Sequence, residues 1–150
     1  RDLVRSRGLG DVYKRQMYQS LGNLYCLLET ELYDFYKDDE VAQSCMDRRV
    51  SQLSGGERRY LEAKLLLLGN AKFVLLDEPF DYLSFHLVDK LVGLIKKHSE
   101  EKGIVIADHN YEKVLEVVNR LVLIREGVLM ELTDKRGLVE QGYLLDESYL

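Results

Sequence analysis

Two short apolar runs that each end in acids constrain the fold more than any other feature of this chain. "KFVLLDEP" (72–79) is continuously apolar until it stops at Asp77, Glu78 and Pro79. Gly103 opens a second run, "IVIA", which stops at Asp108, His109 and Asn110. Runs of that length, one closed by a proline, predict strands buried on both faces. Between them, residues 85–98 carry Leu87, Leu91, Leu94 and Ile95 on one face of a helix. Strand, helix, strand implies a parallel pair with a right-handed crossover, and hence an α/β fold.

In an open parallel sheet, ligands bind at the carboxyl ends of the strands. Asp77 and Glu78 end one strand and Asp108 and His109 end the next, so three carboxylates and an imidazole are expected at one edge. An apolar strand ending in aspartate is the Walker B arrangement, in which the carboxylate (Asp77) helps hold Mg²⁺ on a nucleotide's phosphates. Glu78, the next residue, is placed to polarise an attacking water. His109 is placed to donate a hydrogen bond to the same phosphoryl group. His86 and His98 fall on the intervening helix, where solvation or helix-end stabilisation accounts for them. Three histidines with no C-x-x-C or H-E-x-x-H spacing give no expectation of zinc.

"LSGGERRY" (53–60) precedes the leucine-rich run "LEAKLLLL". Ser54 and Glu57 form a capping box, S-x-x-E, which predicts a helix start. Each glycine in a helix costs about 1 kcal/mol relative to alanine, so a cap alone does not favour Gly55 and Gly56. They make sense where an anion approaches the first-turn amides and the positive end of the helix dipole. That helix is expected to end near Gly69.

Elsewhere, Tyr18, Leu21, Leu24, Tyr25, Leu28 and Leu32 recur at helical steps. "KDDE" (37–40) breaks the run, and Val41, Cys45 and Met46 mark a second short helix. "NYEKVLEVVNR" reads as an amphipathic helix, and "LVLIREGVLMEL" as a hairpin turning at Glu126-Gly127. Cys26 and Cys45 lack metal-ligand spacing and read as buried free thiols. The net charge of −5 argues against nucleic acid as the partner of the whole chain. It leaves room for a phosphate site built on backbone amides. No apolar stretch approaches the roughly 18 residues of a membrane span. With no secretory signal, the expected compartment is the cytoplasm. Residues 1–16, "RDLVRSRGLGDVYKRQ", are basic and aperiodic, and "SRGLGDVYKRQ" resembles translated library-adaptor sequence. They read as a non-native leader, with Met17 near the start of authentic sequence.

From about residue 17 onward these motifs resemble the ATP-binding cassette (ABC) ATPases. "LSGGE" resembles the family's signature, "FVLLDEP" its Walker B strand with the catalytic glutamate, and "IADHN" its histidine switch. "RLVLIREGVLMEL" resembles its closing strands. The resemblance implies a partial P-loop NTPase-type fold: residues 17–52 in an α-helical subdomain and 53–150 in the C-terminal part of the nucleotide-binding domain. It implies ATP and Mg²⁺ as cofactors, and a head-to-tail dimer with a second ABC subunit. Ser54, Gly55 and Gly56, with Glu57 beside them, would meet the γ-phosphate of ATP held by the partner. Asp77 would serve Mg²⁺, Glu78 the attacking water and His109 the γ-phosphate.

The resemblance also implies the ATP-binding subunit of a transporter, working with a membrane permease at the inner face of the cell membrane. The alternatives are a soluble ABC protein acting on ribosomes or DNA, and a non-catalytic regulatory remnant. The sequence departs from the family pattern in several places. No G-x-x-x-x-G-K-[ST] occurs, so the phosphate-cradling loop is missing and the 150-residue chain alone is expected to be inactive. Neither Gln16 nor Gln19 makes a glutamine switch, Glu57 replaces the family's common glutamine, and Ser84 stands where the D-loop aspartate is usual.

Overall fold

The computed structural model describes residues 35–145. The expected leader, the helical pattern over 17–34, Cys26, Gln16 and Gln19 lie outside the described residues. From Asp39 onward the chain runs through α1 (Glu40–Cys45), a 3₁₀ turn (Val50–Gln52) and α2 (Gly55–Leu68). Then come β1 (Phe73–Asp77), α3 (Phe85–His98), β2 (Gly103–Ala107) and α4 (Tyr111–Val117). The hairpin β3 (Leu121–Arg125) and β4 (Val128–Leu132) and the short α5 (Arg136–Glu140) complete the order.

β1 and β2 pair in parallel, from Phe73 opposite Gly103 to Asp77 opposite Ala107. Strand, helix and parallel strand therefore form as their apolar periods predict. The hairpin also forms where expected, with Arg125 opposite Val128. Glu126 and Gly127 take φ of 51° and 77°, the left-handed pair that a two-residue type I′ turn requires. Cys45 is a buried free thiol, as its surroundings imply. α2 ends before Gly69, but Gly69 has φ −62° and so does not supply the left-handed cap that glycine usually provides.

One expectation is overturned. β1 and β2 are not buried on both faces. Val74 and Leu76 sit at 4% and 5% exposure while Phe73 and Leu75 are both 74% exposed. Val105 on β2 is likewise exposed. Among the described residues a helical layer covers one face only, so side chains that alternate along the strand divide between core and solvent. Val74 and Leu76 join Tyr60, Leu61 and Leu67 of α2 and Leu91 and Ile95 of α3 in the core.

That core also encloses a polar knot. Asp39 caps α1 by accepting from the Val41 and Ala42 amides at 3.1 and 3.4 Å. Its other contacts reach across the packing: Tyr60 Oη and Lys64 Nζ on α2, each at 2.5 Å, and Lys90 Nζ on α3 at 3.4 Å. Burial opposes ionisation of Asp39, but the hydrogen bonds from Lys64 and Tyr60 and the positive charges of Lys64 and Lys90 outweigh it. Its carboxyl is held below the ordinary carboxylate range.

Candidate functional site

The parallel register sets Asp77 beside Ala107, so whatever follows each strand emerges at the same edge. The first residue past β1 extends the ladder: Glu78 N donates to Ala107 O at 2.7 Å. Glu78 does so at φ 47°, a left-handed conformation that breaks the strand's course and is sparsely populated outside glycine. The chain then turns back, with Asp81 N donating to Glu78 O at 3.2 Å. Phe80 drops into the core at 5% exposure, which anchors the loop while leaving Asp77 and Glu78 exposed.

Asp108 ties this loop to the one after β2. Its carboxylate has no exposed surface and accepts from Phe80 N at 3.1 Å and Asn110 N at 2.8 Å. Of the three carboxylates expected at the edge, Asp108 is thus a brace between loops. His109 stands outward, its side chain 70% exposed. Its Nε2 lies 3.6 Å from Asp81 Oδ1 and its Nδ1 lies 3.8 Å from Asp108 Oδ1. Asp81 is the residue that reading the sequence missed. Its only signal was an acid three positions after Glu78, in a turn whose course the sequence did not reveal.

The N-terminus of α2 adjoins the same loop. Ser54 Oγ accepts from Glu57 N at 3.1 Å and Glu57 Oε2 accepts from Ser54 N at 2.7 Å, completing the capping box. Glu57 Oε1 accepts from Arg48 at 2.9 Å. The Ser54 backbone donor, and then Arg48, hold the Glu57 carboxyl below its ordinary range against partial burial. The two glycines have different reasons. A Cβ on Gly56 would lie 2.7 Å from the backbone carbonyl of Tyr82, so glycine there lets α2 seat against the loop after β1. A Cβ on Gly55 would meet nothing within 4 Å. Open space therefore fronts Gly55 at the start of the helix, where the first-turn amides lack intrahelical acceptors.

These residues suit the groups the sequence suggests. Asp77 offers a hard carboxylate oxygen at an open edge, the ligand type Mg²⁺ prefers. The amides of Gly55 and Gly56 suit a phosphate oxygen. Ser84 caps α3 by position, with no side-chain hydrogen bond to the helix. No described helix is long and apolar enough to cross a membrane.

No family model matches the chain. It is 37% identical over 87 residues to the lipopolysaccharide export system ATP-binding protein LptB of Haemophilus influenzae, a match covering 56% of this chain and 35% of that protein. The fold resembles that of a nucleotide-free ATP-binding cassette from an ABC transporter, with TM-score 0.59 and 20% identity over 77% of this chain and 44% of that one. It also resembles the RNase-L Inhibitor, with TM-score 0.60 and 23% identity over 77% of this chain and 24% of that one. The chain spans only 12% to 35% of the length of the curated relatives it matches first.

Proposed function

This chain belongs to the ATP-binding cassette (ABC) ATPases, and from that premise we propose that it is part of a transporter's ATP-binding subunit. In the complete protein, ATP hydrolysis at the interface of a head-to-tail dimer would drive a membrane permease from the cytoplasmic side. The observation that carries the reading is the shared edge of β1 and β2, where Asp77 ends β1 and Glu78 and His109 stand on the following loops, braced by Asp108. The transport half rests on the curated relatives, whose names describe ATP-binding components of transport systems.

Each side chain has one task in this proposal. Asp77 serves as the Mg²⁺ ligand, and the metal supplies charge neutralisation on the phosphates. Glu78 accepts a proton from the attacking water, its left-handed backbone projecting it clear of the strand. His109 donates a hydrogen bond toward the γ-phosphate. Ser54, Gly55 and Gly56 present hydroxyl and amides to ATP held by the partner subunit. Glu57 has both oxygens engaged within the chain, so it positions the first turn of α2. Residues 17–52 are assigned to the helical subdomain that would meet the permease, and 53–150 to the C-terminal part of the nucleotide-binding domain.

The test is Glu78→Gln in the complete protein. Losing a general base lowers turnover by about 10²- to 10⁴-fold, and ATP-dependent dimerisation should persist. Unchanged turnover in a steady-state ATPase assay would remove Glu78 from the chemistry.

A further inference from the structure

We propose that Glu78, Asp81 and His109 form a binding site for a borderline transition-metal ion such as Zn²⁺ or Co²⁺. This site is separate from the Mg²⁺ role given to Asp77. One ligand atom from each of the three residues lies within 4.8 Å of the others. Ligands around tetrahedral zinc, bound at about 2.0–2.2 Å, stand roughly 3.4 Å apart. The Asp81 and His109 atoms, 3.6 Å apart, are already near that spacing. Glu78, exposed at this edge, brings the third ligand atom within 4.8 Å of the other two.

Two further features point to a metal. The loops that carry the ligands are held before any ion arrives. Asp108 binds the Phe80 and Asn110 amides from its buried position, and Glu78 N is fixed to Ala107 O. A carboxylate also stands on the side of the imidazole away from the ligand position, where metal-bound histidines carry their outer partner, here at a distance longer than a hydrogen bond. Nε2 faces Asp81 while Nδ1 faces Asp108 at 3.8 Å. With its proton on Nδ1, His109 presents the Nε2 lone pair to the ion. An imidazole with two carboxylates selects zinc, cobalt or manganese over Mg²⁺, which prefers oxygen and water ligands. No short sequence motif announces this set, because 28 positions separate Asp81 from His109 and only the parallel pairing of β1 with β2 joins them.

If the proposed function holds, an ion here engages both Glu78 and His109, and so blocks hydrolysis. The binding claim itself needs neither ATP nor turnover. It is tested on the 150-residue chain by Co²⁺ titration followed through the visible d–d absorption, with Zn²⁺ as competitor. One equivalent should bind, Zn²⁺ should displace it, and millimolar Mg²⁺ should not. Asp81→Asn and His109→Gln should each weaken Co²⁺ binding at least tenfold while leaving the far-ultraviolet circular dichroism unchanged. Neither side chain holds a buried hydrogen bond, so the variants report on the site and not on folding. Absence of one-to-one binding up to millimolar Co²⁺, or equal affinity in both variants, overturns the site. Neither result touches the role of Glu78 in turnover, which the Glu78→Gln assay decides separately.

Discussion

Gly55 and Gly56 are neighbours in sequence with opposite obligations. Gly56 faces the Tyr82 carbonyl, where a methyl group would come within 2.7 Å of backbone. Gly56→Ala should therefore force α2 off the loop after β1, at a cost of about 1–3 kcal/mol. Gly55 faces open space, and Gly55→Ala should leave stability unchanged or raise it by up to about 1 kcal/mol. Urea unfolding of the two variants separates them, and equal losses would show that both glycines serve packing. The capping box is the feature of this stretch that sequence reading described fully, because both partners lie within one helical turn. What fixes Gly56 is a carbonyl 26 positions away, beyond the reach of local pattern.

Among the elements, β1 shows how a run of uniform hydrophobicity conceals its surroundings. Phe73, Val74, Leu75 and Leu76 look alike in sequence, yet exposure alternates along them. Leu76→Ala removes a side chain packed beneath α2 and α3, and should cost about 2–5 kcal/mol. Leu75→Thr, on the uncovered face, should change stability by no more than about 0.5 kcal/mol. Thermal denaturation of this chain distinguishes them, and a large loss from Leu75→Thr would mean that something covers that face in solution. The limits of α3 and of the β3–β4 hairpin were legible, since helical periodicity and a Glu-Gly turn are local signals.

Across the molecule, Asp39 joins α1 to α2 and α3, and its charge makes the whole fold sensitive to acid. Its folded carboxyl titrates below the unfolded value. Its contribution is thus present above the ordinary 3.8 and is lost as pH falls through the folded value. His98 acts earlier in the same direction. Burial first, then Lys102 and Lys97, hold its imidazole below the ordinary 6.5. Its Nε2 is buried without a hydrogen-bond partner, so the neutral form is the one that fits. The contribution of His98 is therefore complete above pH 6.5 and erodes first as pH falls, and that of Asp39, with the likewise depressed Glu57, erodes after it at lower pH. Melting temperature against pH should show both stages, and His98→Gln should abolish only the first. Asp39→Ala strands two lysines and should cost about 3–5 kcal/mol at neutral pH. A melting curve for that variant matching the parent would deny the knot its role.

The sequence by itself determined the order of elements from α2 to β4, the parallel pairing of two acid-tipped strands and the capped helix start. These follow from periodicity, caps and turns, which act over a few residues. Only the tertiary structure decided which face of the strands is covered, that Asp108 braces while His109 stands free, and that Asp81 joins Glu78 and His109. Those outcomes depend on contacts between residues tens of positions apart, and such contacts exist only once the core has packed.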